Sequence, residues 1–182
     1  YASRLIEELG RIEQELKSAV PNVRFTPPYP TLQVTLIDGG TASNIVPVNA
    51  NFAFEVRALP GLDTGSIETR LRTFAQNRCL PEMQSVAPEA AITIRQTNAV
   101  PPFAADRDSE VVALALNLAQ QNETFAVSYA TEAGLFQGAG APSVVCGPGD
   151  IAQAHTANEW IAISELDKCM AFLGRLADWA EG

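Results

Sequence analysis

The chain has 182 residues, 47% of them hydrophobic, and 21 acidic against 12 basic side chains give a formal charge of −9. That length supports one ordinary domain or two small ones, and the acidity argues against a nucleic-acid partner: Arg70, Arg72 and Arg78 are spread along one segment, so no basic patch offsets the field. No apolar run reaches the length of a membrane span, no charged-then-apolar leader is visible, and three cysteines without a CxxC pair (Cys79, Cys146, Cys169) point to a reducing, cytoplasmic compartment.

The sequence opens inside a helical pattern, with Leu5, Leu9, Ile12 and Leu16 at i, i+4, i+7 and i+11. Tyr1 stands where a native start would carry methionine, so the opening reads as a truncation or a processing point; Ser3 is the nearest capping residue. Pro21 and then Pro27-Pro28-Tyr29-Pro30 suit neither helix nor central strand. Residues 32–37 read as a strand and Asp38-Gly39-Gly40-Thr41 as a turn. The next strand alternates, with Phe52, Phe54 and Val56 on one face and Asn51, Ala53, Glu55 and Arg57 on the other. Leu59-Pro60-Gly61 stops it, and Asp63 or Thr64 caps a helix bearing Ile67, Leu71 and Phe74. Pro81 is expected to end or kink that helix, and residues 92–95 to form a short strand. Helix, strand, strand, helix, strand is βαββαβ without its first strand. The expected fold class is therefore α/β, with residues 1–97 a ferredoxin-like domain lacking that strand.

Residues 98–106, with Pro101-Pro102, read as a linker. Asp108 is placed to cap a helix with Val111, Leu114, Ala115 and Leu118 on one face. Two short buried strands are expected, 125–128 leading into Thr131-Glu132-Ala133-Gly134 and 143–146 leading into Gly147-Pro148-Gly149. Ser164 caps the final helix, with Asp167 in the capping-box position and Leu166, Met170, Leu173 and Ala177 inward. Helix–strand–strand–helix suits the edge of an α/β sheet. This stretch is thin for an independent domain, so residues 98–182 read as part of a larger sheet.

Ligands of α/β sheets bind at the carboxyl ends of strands, which singles out the run from Cys146 to His155. Its glycine–proline–glycine turn lets backbone amides approach a carboxylate or oxyanion, and His155, the only histidine, is a metal donor. Plainer readings stand beside these. His155 reads also as a surface or packed histidine, the glycine loop as an ordinary turn, and Glu132 as a helix-entry or buried paired acid. Arg57 suits a surface salt bridge as well as an anion, Asn44 a turn, and Cys146 an inert core thiol. A hydrolytic zinc site needs about three protein ligands, an open position and a general base. With one histidine and neither an HExxH cluster nor a GxSxG elbow, the chemistry is incomplete within this chain.

The runs DGGTASNIVP (38–47), FEVRALPG (54–61) and LPEM (80–83) resemble the dimerisation (lid) domain of acetylornithine deacetylases. TEAGLFQ (131–137) and VVCGPGDIAQAH (144–155) resemble the end of their catalytic domain. These enzymes belong to the zinc-dependent amidohydrolases that include succinyl-diaminopimelate desuccinylase, aminoacylase and carboxypeptidase G-type enzymes. The resemblance extends over essentially the whole chain. It implies a two-zinc site, with cobalt as an alternative metal, in an α/β catalytic domain carrying an inserted lid. Residues 1–97 would be the lid, truncated at its start, and 98–182 the C-terminal part of the catalytic domain.

By the same resemblance His155 matches the C-terminal metal ligand, and Thr131, Gly147 and Gly149 match segments lining the substrate pocket. Asn44 matches a lid position reaching the substrate of a partner subunit, and Arg57 one reaching a substrate carboxylate. The other metal ligands, the glutamate general base and the lid histidine are expected upstream of Tyr1, so no catalytic residue is assigned here. Ala130 stands where the family has glycine before the TEAG run. The implied reaction is hydrolysis of an N-acetyl amide to acetate and an amino acid such as ornithine, a step of arginine biosynthesis. The implied partners are a small N-acyl amino acid, a second copy bound through the lid, and the missing N-terminal half of the catalytic domain, in cis or as a separate chain. A non-catalytic association module of the same descent is the alternative.

Overall fold

The computed structural model describes residues 1–127 and 129–182. They form two compact units, one of Tyr1–Pro102 with Ala126–Tyr129, the other of Phe103–Phe125 with Ala130–Gly182. The first is built from α1 (Ala2–Ser18), β1 (Thr31–Gly39), β2 (Ala50–Arg57), α2 (Thr64–Phe74), a wide π-helical turn (Ala75–Cys79) and α3 (Leu80–Val86).

The core of this unit follows the apolar periodicity. Leu5, Leu9 and Ile12 of α1 pack with Leu32, Ile67, Leu71, Ala75 and Cys79 in one buried cluster, with Leu16 half-buried at its edge. Ser3 does not cap α1: the helix begins directly after Tyr1, and no side chain caps it. Asp63 does cap α2, accepting from the Gly65 N–H at 2.9 Å, which satisfies one of the donors a helix start leaves open.

β1 and β2 pair antiparallel, with Leu32 opposite Val56 and Val34 opposite Phe54. The sheet departs from expectation at a bulge between Val34 and Leu36, which sets Leu36 opposite Ala53 instead of Phe52. One extra residue reverses the side-chain face, so Leu36 is exposed while Phe52, Phe54 and Val56 keep their inward alternation. Among the described residues the sheet has these two strands.

Of the two outcomes expected at Pro81, an end or a kink, the helical run does not end: α2 passes through the π turn into α3, with Pro81 in the first turn of α3. There proline's missing N–H leaves no donor unmatched, and the widened turn just upstream takes up the disruption its ring would impose on a regular helix. Residues 92–95 form no strand. Ile92 and Ile94 do alternate inward against the core, but the Ile94 carbonyl accepts from the Arg72 guanidinium at 2.6 Å; an extended segment bonded to a side chain has the period of a strand without its ladder.

The second unit contains α4 (Glu110–Ala119), α5 (Ala133–Gly138), a 3-10 turn (Ile151–Gln153) and α6 (Ile163–Glu181). Asp108 is not the cap of α4. Asp106 organises the approach by accepting from the Asp108 N–H at 3.1 Å, and Ser109 takes the N-cap position. The buried positions are Val112 and Leu118, and Arg175 of α6 donates to the Leu118 carbonyl at 2.7 Å, closing the C-terminal end of α4 where carbonyls lack helical partners.

Neither of the two strands expected after α4 forms among the described residues. Residues 125–127 are irregular with Phe125 79% exposed, and the fourth residue of that expected strand, Ser128, lies outside the described residues. Residues 143–146 are likewise irregular, with Val145 and Cys146 exposed. Short apolar runs become strands only where a neighbour supplies the ladder.

α6 starts after Ala162, so Ser164 lies inside its first turn instead of capping it. Its packed face is also rotated by one residue. Glu165, Cys169, Phe172 and Leu176 are half-buried, whereas Leu166, Met170, Leu173 and Ala177 are exposed. Both sets repeat at i, i+4, i+7 and i+11, and one residue turns a helix by 100°, so periodicity alone does not choose between them.

Candidate functional site

Asn44 and Arg57 both belong to the hairpin of the first unit, at opposite ends. Asn44 is exposed in the connection between β1 and β2, and Arg57 ends β2 opposite Thr31. The eight residues of β2 extend about 25 Å at strand rise, so the hairpin does not bring these two side chains together. Arg57 donates through Nε to Glu55 at 2.7 Å, and both side chains are largely exposed.

In the second unit Thr131 is half-buried and its hydroxyl accepts from the Ala133 N–H at 3.3 Å. Glu132 stands at the start of α5, the helix-entry position. Gly147, Gly149 and His155 share the loop that leads to α6.

That loop is held by carboxylates, Asp150 and Glu159 of its own and Glu165 from α6. Gly149 has φ +86° and donates to Glu165 Oε2 at 3.3 Å, and a Cβ at this position would lie 3.3 Å from Ile161 Cδ1. The backbone conformation favours glycine, and an added carbon would press on the Ile161 side chain. Glu165 also binds Lys168 at 2.6 Å; the lysine first and the Gly149 amide second hold its carboxyl below the usual value. Asp150 caps the 3-10 turn, accepting from the Ala152 N–H at 2.8 Å. His155 follows, exposed, with φ +59°, and its N–H donates to Glu159 Oε2 at 3.0 Å.

Burial pushes the Cys146 thiol up, with Cys169 adding to the effect, although the residue as a whole is exposed. It is therefore not a core thiol, and a raised thiol is a poor nucleophile. Glu165 went unnoticed in the sequence because it acts across sixteen positions, and only its acidic place in the first turn of α6 marks it.

An imidazole suits zinc or cobalt, but among the described residues no three His, Cys, Asp or Glu side chains gather as a metal-binding group. No helix among the described residues is long and apolar enough to cross a membrane.

Residues 1–83 match the peptidase dimerisation domain. The chain is 33% identical over 174 residues to an acetylornithine deacetylase of Myxococcus xanthus, an alignment covering 96% of this chain and 44% of that protein. It is 31% identical over 175 residues to the acetylornithine deacetylase of Photorhabdus laumondii and 30% over 169 residues to that of Aliivibrio fischeri, covering 95% and 92% of this chain and 43% of each relative.

Over nearly all of its length the chain is similar to acetylornithine deacetylases. It spans less than half the length of these relatives. The dimerisation-domain match takes in α1, the β1–β2 hairpin, α2 and the first part of α3, and the aligned region continues through the loop that carries His155.

Proposed function

We propose that this chain is part of a metal-dependent amidohydrolase that removes the acetyl group from N-acetyl-L-ornithine or a similar N-acyl amino acid, in arginine biosynthesis. The observation that carries the reading is the alignment with acetylornithine deacetylases over 96% of the chain. Residues 1–97 are assigned to a dimerisation domain of ferredoxin-like plan, truncated at its start, and 98–182 to the C-terminal part of the catalytic domain.

In this reading His155 contributes one donor to a zinc or cobalt centre whose other ligands, with the general base, lie outside the chain. Thr131, Gly147 and Gly149 line the substrate pocket, the glycine turn offering backbone amides to an anionic oxygen. Arg57 takes the substrate carboxylate by a charge-assisted bond, which requires it to leave Glu55. Asn44 reaches the substrate of the partner subunit in a homodimer.

The test is zinc titration and deacetylation by the full-length protein with His155→Ala. Loss of metal affinity and of turnover is expected; a variant indistinguishable from wild type in both would remove His155 from the site.

A dimerisation module without catalysis is the second reading, favoured by the domain match at residues 1–83. Sizing and deacetylase assays of the naturally occurring species separate the two. A stable dimer of 182 residues that has no activity would establish the second and displace the first.

A further inference from the structure

We propose that Glu159 is the positioning residue for His155, fixing the backbone from which the imidazole projects. His155 and Asn158 both occupy the left-handed region, at φ +59° and +60°. A residue with a Cβ is uncommon there, although histidine and asparagine enter the region more readily than most. Glu159 supplies a hold: its Oε2 accepts the His155 N–H at 3.0 Å, and a carboxylate acceptor binds more strongly than a neutral one.

The local geometry explains how a side chain four positions on reaches back. Asn158, a residue type that tolerates left-handed backbone, reverses the chain immediately before Glu159. The carboxylate therefore closes a small ring with the amide of His155. The bond engages the main chain, so it takes neither ring nitrogen. Upstream, Thr156 donates from its hydroxyl to the Gln153 carbonyl at 3.1 Å, tying the same turn to the end of the 3-10 segment.

This role rests on the reading of His155 as a metal donor, because a fixed imidazole origin matters only if a ligand depends on it. A metal site tolerates little displacement of its donors, and partners that orient a ligand are commonly worth tenfold or more in affinity.

The single histidine makes the conformational arm direct, since selective 15N-histidine labelling of the 182-residue chain yields one backbone histidine amide. Hydrogen exchange at that amide is expected to accelerate about tenfold in Glu159→Ala. In Glu159→Gln, whose side-chain carbonyl still accepts, the rate is expected to stay within about threefold of wild type. Glu159→Asp, one methylene shorter, serves as a second truncating variant if the alanine substitution unfolds the chain, and is expected to accelerate exchange likewise. Unchanged exchange in the truncating variants overturns the proposal.

The functional arm uses zinc alone as the probe, titrated into the longer polypeptide. Glu159→Ala is expected to weaken zinc binding roughly tenfold, with Gln restoring most of it. Wild-type affinity in Glu159→Ala beside lost affinity in His155→Ala overturns the positioning role and leaves the metal reading standing. Wild-type affinity in His155→Ala removes the metal reading itself, and the positioning role with it.

Discussion

Glu8 and Arg70 are joined across 62 residues: Arg70 Nε donates to Glu8 Oε1 at 2.7 Å, and the glutamate is only 6% exposed. Arg70 also grips Glu15 about two turns further along α1, through Nη2 to Oε1 at 3.0 Å, while Arg11 adds a longer contact to Glu8 at 3.4 Å. One guanidinium thus fastens α2 to two points on α1, at the edge of the core formed by Leu9 and Leu71. Its pKa is raised, by Glu15 first and Glu8 second.

Removing this clamp leaves Glu8 buried with only the weaker Arg11 contact. Arg70→Met is expected to cost about 2 kcal/mol, because a buried charge that loses its main partner keeps its desolvation penalty. Lys17→Ala, which breaks the more exposed Lys17–Glu13 pair, is expected to cost no more than about 0.5 kcal/mol. Urea unfolding of both variants checks the contrast, and equal losses would deny Arg70 its special place.

The same clamp sets an acid sensitivity. Arg70 holds the Glu15 carboxyl below the usual carboxylate value, chiefly by hydrogen bonding. A depressed folded pKa means that the unfolded chain takes up the proton first, so the contribution is complete above the unfolded value and is lost as pH falls through the folded one. Glu165 behaves alike through Lys168 and Gly149. Stability is therefore expected to decline below about pH 4.3, and Glu15→Gln to flatten part of that decline in melts taken across acid pH.

The sequence was most legible where one residue's chemistry decides a local outcome. Asp63 caps α2, Leu5, Leu9 and Ile12 enter the core, and Phe52, Phe54 and Val56 alternate inward. It was least legible where a partner decides. Residues 92–95 alternate and 143–146 carry a short apolar run, but a strand needs a ladder that short-range pattern does not specify. On α6 two stripes share one helical period, and packing selected Glu165, Cys169, Phe172 and Leu176. At the candidate site, the glycine turn and His155 stood out by residue type. The carboxylates of Glu159 and Glu165, which bond to the backbone of His155 and Gly149, carried no comparable signature.

Core and surface substitutions should separate sharply. Leu71 is 1% exposed within the main cluster, and Leu71→Ala is expected to cost about 3 kcal/mol through lost burial and the cavity left behind. Met170 on the outer stripe of α6 is 68% exposed, so Met170→Gln is expected to change stability by less than about 0.5 kcal/mol. Thermal or denaturant unfolding measures both, and a large loss at Met170 would mean that this face is covered in solution.

Thiol chemistry offers an independent probe. Cys79 is fully buried and its thiol is pushed up by that burial, whereas Cys146 is exposed. A small alkylating reagent is expected to modify Cys146 first and to reach Cys79 only after unfolding. Because Cys146 is itself raised, its labelling at neutral pH is expected to be slower than that of free cysteine and to accelerate in alkali, since the thiolate is the reacting form. Mass spectrometry of peptides after timed labelling reads the order, and early modification of Cys79 would contradict its burial.

The loop before His155 depends on glycine for two separable reasons, and a double-mutant cycle can divide them. Gly149→Ala places a Cβ on a residue at φ +86°, and that Cβ would meet Ile161 Cδ1 at 3.3 Å. Gly61→Ala imposes the same backbone penalty at φ +95°, with nothing within 4 Å of the new carbon. The left-handed conformation alone is expected to cost about 1 kcal/mol, so Gly61→Ala sets the baseline. Gly149→Ala is expected to exceed it by roughly 0.5 kcal/mol, and Ile161→Val, which deletes Cδ1, to recover most of that excess as a coupling energy. Additive effects of Gly149→Ala and Ile161→Val in denaturant unfolding would show that backbone conformation alone reserves this position for glycine.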